Sequence, residues 1–450
     1  MRALAVALTL VALAAHAPAG GAAAQQAPPD PLGPAAAVAY AREHSPEYRR
    51  VLNDIDVARA STRAAWGAFL PSLALGASTD RYSSSTVTGE DEAGRPITFP
   101  DPVDYTRSSS SQSIGLDMTL FDGGASFQEL GAARAEAAAT RARIDESAVA
   151  LDARVLTLYW QAVQRERAIE VESRLLAAAH ERHDAIQRMV AIAAAGPEDV
   201  LGAEVDVATQ ELALERARAT AARAVIALLE AMGAPLDVAP TLDAELSRTL
   251  DPAALHEDAL VERALARHPS IVAADAAIEA ADESADAARA GYWPRISGNA
   301  GWGRSAGASS DDALFDLNPQ NTSFSFGLSA SLPIFQGFQA QLASERAHAA
   351  LDDARAERHA ARLAVAAGVR GALLDLRTAW RALEIAERVA TLSADRLAMA
   401  HERYRNGALG FTELQAVVAR ADQAERDALD ARFEYEIARV ALEEAVGGPV

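Results

Sequence analysis

The chain has 450 residues, a formal net charge of −21 and no cysteine. These facts exclude structural disulfides, thiolate catalysis and Cys-ligated zinc, and they argue against nucleic acid as a partner, because phosphate binding needs basic patches. Aromatic residues make up only 5% of the sequence, and alanine supplies much of the apolar half, which suits closely packed helices better than a bulky core.

The N-terminus, "MRALAVALTLVALAAHAPAGGAAAQQ", carries Arg2, an apolar run of about 13 residues, and small-residue cleavage sites at Ala15-His16-Ala17 or Ala22-Ala23-Ala24. Residues 1–24 are expected to be a secretory signal peptide, too short for a stable membrane span. With no cysteine behind it, the mature end is not that of a diacylated lipoprotein. No later stretch reaches the roughly 18 uncharged apolar residues of a transmembrane helix. The expectation is an exported chain without a helical anchor.

Two stretches, 103–196 and 334–448, contain none of the 19 prolines. Proline costs about 3 kcal/mol inside a helix, so these are where long helices can run. The first repeat is expected over 30–237: short helices, strands at about 72–82 and 112–121, a long helix at 125–194 and a return helix at 199–232. A linker over 238–256 follows. The second repeat, 257–448, is expected to hold strands at about 295–303 and 322–335, a long helix at 339–405 and a return helix at 411–446. At 1.5 Å per residue each long helix would measure roughly 100 Å, the length of coiled coils or tubes.

The halves repeat each other. "SPEYRRVLNDIDVARASTRAAWGAFLPSL" (45–73) aligns with "HPSIVAADAAIEAADESADAARAGYWPRI" (268–296), placing Pro46 on Pro269 and Pro71 on Pro294. From Phe121 and Phe335 onward the offset is 214, without a gap, to "LLEAMG" (228–233) and "LEEAVG" (442–447). About 25 of those 113 positions are identical, and the landmarks Gly123/Gly337, Gly196/Gly410 and Gly233/Gly447 keep the same spacing. A period this long is a duplicated half, not a solenoid repeat.

The strands have two distinct faces. "SFSFGLSASLPIF" (323–335) alternates Phe324, Phe326, Leu328, Ala330 and Leu332 with serine or glycine, and "SIGLDMTLF" (113–121) alternates Ile114, Leu116, Met118 and Leu120 with small polar residues. "SLALGAST" and "ISGNAGWG" (296–303) are their weaker partners. The intervening segments, 82–111 and 304–321, read as unusually long polar loops. An apolar outer face over a small polar inner face is the pattern of a membrane β-barrel. Four strands cannot close one, since about eight is the practical minimum, and open edges cannot sit in lipid. Several chains must therefore pool their strands. The competing reading is a soluble periplasmic coiled-coil scaffold or adaptor without a pore.

The return helix over 411–446 carries a three-four seam, Leu414, Val417, Ala421, Ala424, Ala428, Ala431, Tyr435, Ala438 and Leu442, and beside it a stripe of Leu429, Phe433, Ile437 and Val440. Two seams give a helix a neighbour on each side, as a tube requires. Arg420, Asp427 and Glu434 lie between them, facing either lumen or periplasm.

Duplicated halves, proline at each helix-to-strand junction, "LFDGG" and "IFQGF" before the long helices, and "RYRNGALGFTELQAVVARADQAERDALDARFEYEIARVALEEAVG" (403–447) together resemble the TolC-like outer membrane factor family, over roughly residues 35–448. The resemblance implies a mostly α fold with a small β part. It implies a homotrimer with a 12-stranded outer-membrane β-barrel, four strands per chain, continuous with a long periplasmic α-helical barrel. It further implies a passive exit channel for efflux or type I secretion, working with a periplasmic adaptor and an inner-membrane transporter, set in outer-membrane lipid, with no cofactor and no metal.

In such a protein the turns between long and return helices form a periplasmic tip that gates the tube. Here those turns hold Gly196, Pro197, Glu198 and Asp199, and Gly407, Gly410, Thr412 and Glu413. Gly196, Gly407 and Gly410 are expected as helix stops, Thr412 as a cap, and Pro197, Glu198 and Asp199 as a first turn. Glu413 stands where the family often has an aspartate; Ala416 stands where it has a second. Three copies of Glu413 would form one acidic ring favouring cations, with Asp199 as its first-half counterpart, or both acids would only complement helix dipoles. The helix–strand junctions are Pro71, Phe121, Gly123, Pro294, Phe335 and Gly337. Enzyme readings are weak: "HERH" places His180 and His183 one turn apart without a third ligand and lacks the zinc-protease spacing. The acids of "DEAG" and "SSDD" are loose calcium candidates at most.

Overall fold

The computed structural model describes residues 27–192, 195–243, 250–314 and 321–450, with the side chains of 99, 100, 102 and 103 left aside. The signal-peptide segment, part of the linker and part of the second polar loop lie outside these residues. In chain order the elements are α1 (Pro34–His44), α2 (Pro46–Gly67), β1 (Ser72–Glu90), β2 (Pro96–Phe121), α3 (Ala125–Ala191) and α4 (Pro197–Met232). Then come α5 (Glu257–Arg267), α6 (Pro269–Arg289), β3 (Arg295–Ala308), β4 (Asn321–Ser331), α7 (Gln339–Arg405) and α8 (Phe411–Val446). The 214-residue offset recurs in the helices: α3 and α7 each have 67 residues, α4 and α8 each have 36. The chain divides into two compact units, one over 51–146 and 262–367 and the other over 1–50, 147–261 and 368–450.

The first of these units holds a four-stranded antiparallel sheet in the order β1-β2-β3-β4. Its register aligns Leu75 with Ile114, Trp302 and Phe324, and Leu73 with Leu116, Ala300 and Phe326, so the apolar residues of all four strands share one face. The alternate rows, such as Ala74, Gly115, Gly301 and Ser325, give a small polar face. There Ser78 and Ser111 share a hydrogen bond of 2.8 Å, as do Ser297 and Ser329. The apolar face is exposed in the single chain.

The strands differ from expectation at both ends. β1 and β2 run on to Glu90 and Pro96 as a hairpin closed by a short turn, where a loop over 82–111 was expected. A Ser/Thr ribbon that is polar on both sides has no period-two contrast to read. β4 stops at Ser331, short of 335, because Pro333 has no N–H to give a ladder and β3 begins at Arg295, the partner of Ser331.

The helical unit buries most of the seam and half of the stripe of α8: Leu414, Val417, Ala424, Ala428, Ala431, Phe433, Tyr435, Val440 and Leu442 are buried, while Ala421, Leu429, Ile437 and Ala438 are half-buried. Phe433 and Val440 join a cluster with Tyr159, Trp160, Leu228, Leu229 and Met232. The Tyr159 hydroxyl is shared between the carbonyls of Leu32 (2.9 Å) and Asp243 (2.8 Å), pinning the segment before α1 and the inter-repeat segment to α3. Burial first, then Asp243 and Glu166, push that phenol up to about 12. Tyr435 does the same for the far end of that segment, donating to the Leu250 carbonyl at 2.6 Å.

A buried polar network crosses α3, α4 and α8. Arg426 donates to both Glu172 oxygens, at 2.6 and 2.8 Å, and to Gln210 Oε1 at 3.3 Å, while Gln210 Nε2 donates to Asp422 at 3.2 Å. Glu172 and Asp422 are both buried. Burial raises the Asp422 carboxyl against the pull of Arg182 and Arg426. A raised acid keeps its proton in the folded chain at pH values where the unfolded chain has lost it. The site therefore favours folding on the acid side and loses that contribution as pH climbs through the raised value. Asp422→Asn is expected to flatten this dependence in thermal melts between pH 4 and 8. Glu172→Ala leaves Arg426 with only its bond to Gln210 and is expected to cost about 2–3 kcal/mol, less than the roughly 3–5 kcal/mol of a fully buried broken pair because Arg426 keeps some solvent. Glu172→Met/Arg426→Met should cost clearly less than the sum of the single changes in denaturant titrations.

Candidate functional site

The two helix turns of the helical unit meet in one small core. Ile186, Ala203, Ala400, Tyr404, Leu414, Val417 and Val418 are buried together, with Phe411 packed against them. Gly202 sits so close to the Phe411 ring that a Cβ there would lie 2.5 Å from Cε1. Gln415 Nε2 donates to Asp206 at 3.1 Å, a further tie between α8 and α4.

The second-half turn ends α7 with a left-handed glycine. Gly407 has φ +71°, and the N–H groups of Gly407 and Ala408 donate to the carbonyls of Tyr404 (2.9 Å) and Arg403 (2.8 Å). This is the double bond of a Schellman stop. Gly410 has φ −78° and ψ 156° and is the N-cap of α8, not a helix stop. Thr412 lies inside the first turn and caps nothing, since the cap position belongs to Gly410 and has no side-chain bond.

In the first-half turn Gly196 is likewise an N-cap, with φ −86° and ψ 155°, and not a stop. Pro197 opens α4, where a missing N–H costs nothing. The Asp199 carboxylate turns back to accept from the Gly196 N–H at 3.2 Å, and Glu198 and Asp199 sit in the first turn. Asp199 thus has a capping role that a free acidic ring would not require.

Glu413 is exposed in the first turn of α8. It lines a cleft of about 490 Å³ between α7 and α8 with Arg396, Met399, Arg403, Ala416 and Arg420. Sequence reading named Arg420 only as a charge facing lumen or periplasm and missed Arg396 and Arg403, although two basic residues seven apart on one helix in a strongly acidic chain were the available signal. Burial first, then Arg182 and Arg405, hold the nearby His401 below the usual imidazole range. Burial, then Asp199, raises the Tyr404 phenol. His180 is exposed and His183 half-buried, with His183 at 3.6 Å from Asp184 and 3.8 Å from Glu204. No cluster of three ligands surrounds them among the described residues.

In the sheet-bearing unit, Pro71 and Pro294 stand immediately before β1 and β3, and Phe121 closes β2. Gly123 has φ +74°, and a Cβ on it would lie 2.6 Å from Trp293 Cβ and 2.9 Å from the Ala290 carbonyl oxygen. Asp122 supports the same corner, accepting from the N–H groups of Gly124 (3.1 Å) and Ser126 (3.0 Å). The second-half corner uses Gly337 (φ +58°) followed by Phe338 (φ +65°). Phe335 and Phe338 pack edge to face at 5.6 Å, yet both remain over 70% exposed and Ile334 is 95% exposed. Tyr292, Trp293, Trp66 and Phe127 are also exposed apolar groups of this unit. Among the described residues no helix is long and apolar enough to cross a membrane.

Comparison with known proteins agrees with this architecture. Protein CyaE of Bordetella pertussis is 29% identical over 400 residues, covering 86% of this chain and 77% of that protein. A membrane protein from Pseudomonas aeruginosa superposes with a TM-score of 0.76 at 24% identity, covering 92% of this chain and 90% of its own. The CmeC outer membrane channel of Campylobacter jejuni does so with a TM-score of 0.76 at 15% identity, covering 92% and 85%. Residues 38–234 and 260–448 match the family described as outer membrane efflux protein, and the chain belongs to that family: it is an outer-membrane transport duct that extends into the periplasm.

Proposed function

We propose that three copies close one 12-stranded barrel in the outer membrane, each contributing its four strands, and that their helices form a hollow periplasmic cylinder gated at the 196–199 and 407–413 turns. The duct is passive. It conducts what an inner-membrane transporter delivers, and contact with a periplasmic adaptor spreads the turns. The observation that carries this reading is the sheet: an exposed apolar face with free edges on β1 and β4. In lipid each unpaired edge group costs several kcal/mol, so β1 of one copy must pair with β4 of the next.

The chain should require detergent for extraction, run as a heat-sensitive trimer on gels and conduct in planar bilayers. Release by osmotic shock as a folded, non-conducting monomer would instead identify a pore-less periplasmic scaffold.

The two tip glycines should behave differently. Gly407→Ala forces a side chain into the left-handed region, costs about 1–2 kcal/mol locally, and should raise basal conductance by loosening the closed turn. Gly410→Ser places a good N-cap on α8 and should leave conductance unchanged while stabilising by a few tenths of a kcal/mol. Equal conductance of the two variants would count against the tip as gate. Glu413→Gln should lower cation preference, read as a shifted reversal potential, if the three carboxylates form a ring. An unmoved potential would leave Glu413 with only its helix-dipole role.

A further inference from the structure

The register of β1 with β2 is unbroken from Ser72 to Thr86, so each face can be followed upward from the apolar band. On the small polar face, the rows Ser72–Asp117–Asn299–Gly327 to Asp80–Ser109–Gly307 contain nothing larger than Asn or Asp. The last pairing of β2 with β3 is Ser108 with Ala308. Beyond it, Tyr82–Glu90 and Pro96–Arg107 continue as a two-stranded ribbon, roughly 30 Å long at 3.3 Å per residue.

In this ribbon the side that carries rings is reversed. The continuation of the small polar face now holds Tyr82 opposite Arg107 and Tyr105 opposite Ser84. The tyrosines are 61% and 49% exposed. The continuation of the apolar face holds Arg81, Ser83, Ser85, Asp104 and Thr106, and none of these five carries a ring. The root of the ribbon is braced on that second side by the start of the β3–β4 connection. The Ser108 hydroxyl donates to the Ser310 carbonyl and accepts from the Ala313 N–H at 3.3 Å. Thr79 Oγ1 donates to the Leu314 carbonyl at 2.6 Å, and Arg81 meets Asp311 at 3.0 Å. Among the described residues, one side is covered at its base and the ring-bearing side is left open.

We propose that the β1–β2 hairpins of the assembled copies pack on one another over the outer mouth of the barrel through Tyr82, Ser84, Tyr105 and Arg107, narrowing the exit. The occupant of this face is a second copy of the same hairpin. A lone two-stranded ribbon is marginal in water, and cyclic symmetry brings the same face of every copy toward the axis. Tyrosine and arginine are the side chains that supply buried area and ring or cation–π contact at such interfaces. The inference rests on the barrel reading above, because the axis lies on the small polar face only if the apolar face meets lipid.

The absence of cysteine makes the test clean, since any introduced thiol is the only one in the chain. Ser84→Cys, on the ring-bearing face, and Ser85→Cys, on the opposite face, are purified in detergent and first checked for the heat-sensitive trimer. A short bismaleimide should then link Ser84→Cys into a dimer-sized denatured band at least ten-fold more than Ser85→Cys. Adding Tyr82→Ala and Tyr105→Ala should abolish that preference. Intact trimers with equal linking of the two cysteines would overturn the inference and leave the barrel standing. Failure to form trimers would remove the barrel reading and this inference with it.

Discussion

Backbone hydrogen bonding in a medium without water is the constraint on which the structure depends. Four strands give each chain a sheet whose inner pairs are complete and whose outer edges, on β1 and β4, are not. In water such edges and the greasy face beside them would aggregate; in lipid the edges are prohibitive unless sealed. The serine- and glycine-lined face is intelligible under the same constraint. On the barrel reading proposed above it needs no core of its own, because it then borders an aqueous lumen. The side-chain face and the strand edges thus require the same solution, which no single copy can supply.

The corners where strands give way to helices show how the duplicated sequence meets one geometrical demand twice with different means. At Gly123 both the backbone angle and the closeness of Trp293 and Ala290 forbid a side chain. At Gly337 only the angle matters, since nothing lies within 4 Å, and the strain extends to Phe338. The second corner lacks that close packing, and it bears three strongly exposed apolar residues, Ile334, Phe335 and Phe338, of which Ile334 is the most exposed large apolar residue among the described ones. Aromatic side chains at that level suit a membrane boundary, where one side of each ring is apolar and the other wet.

Much of the fold was legible because long helices and two-faced strands leave periodic traces. The absence of proline marked α3, α7 and α8, and most of the three-four seam of α8 is buried as its spacing implied. What was not legible lacked contrast or depended on partners far away in sequence. The ribbon over 82–107 has polar residues on both sides, so no alternation announced a strand. Nothing in the sequence singled out Asp422 and Glu436, since only packing against other helices makes them buried. Gly196 and Gly410 were read as stops because glycine is common after helices, yet each precedes a helix and has negative φ. The landmark was right and its local job was not, since the turn chemistry depends on which side of the glycine the next helix begins.

That distinction bears on how the tip can move. Gly407 is the only glycine of the second-half turn held in the left-handed region, and it lies between a helix that has ended and one not yet begun. Arg396, Arg403 and Arg420 line the cleft above it while Glu413 supplies the only acid among its lining residues. Like charges gathered in one cleft raise the energy of the isolated arrangement and lower it whenever a carboxylate enters. The small apolar core under the two turns pulls the other way, favouring the arrangement that keeps Tyr404, Leu414 and Phe411 packed. If these turns are the gate proposed above, a modest differential contact that tips the balance between these two terms is what an adaptor must supply, because a ligand shifts an equilibrium by no more than its preference for one arrangement over the other.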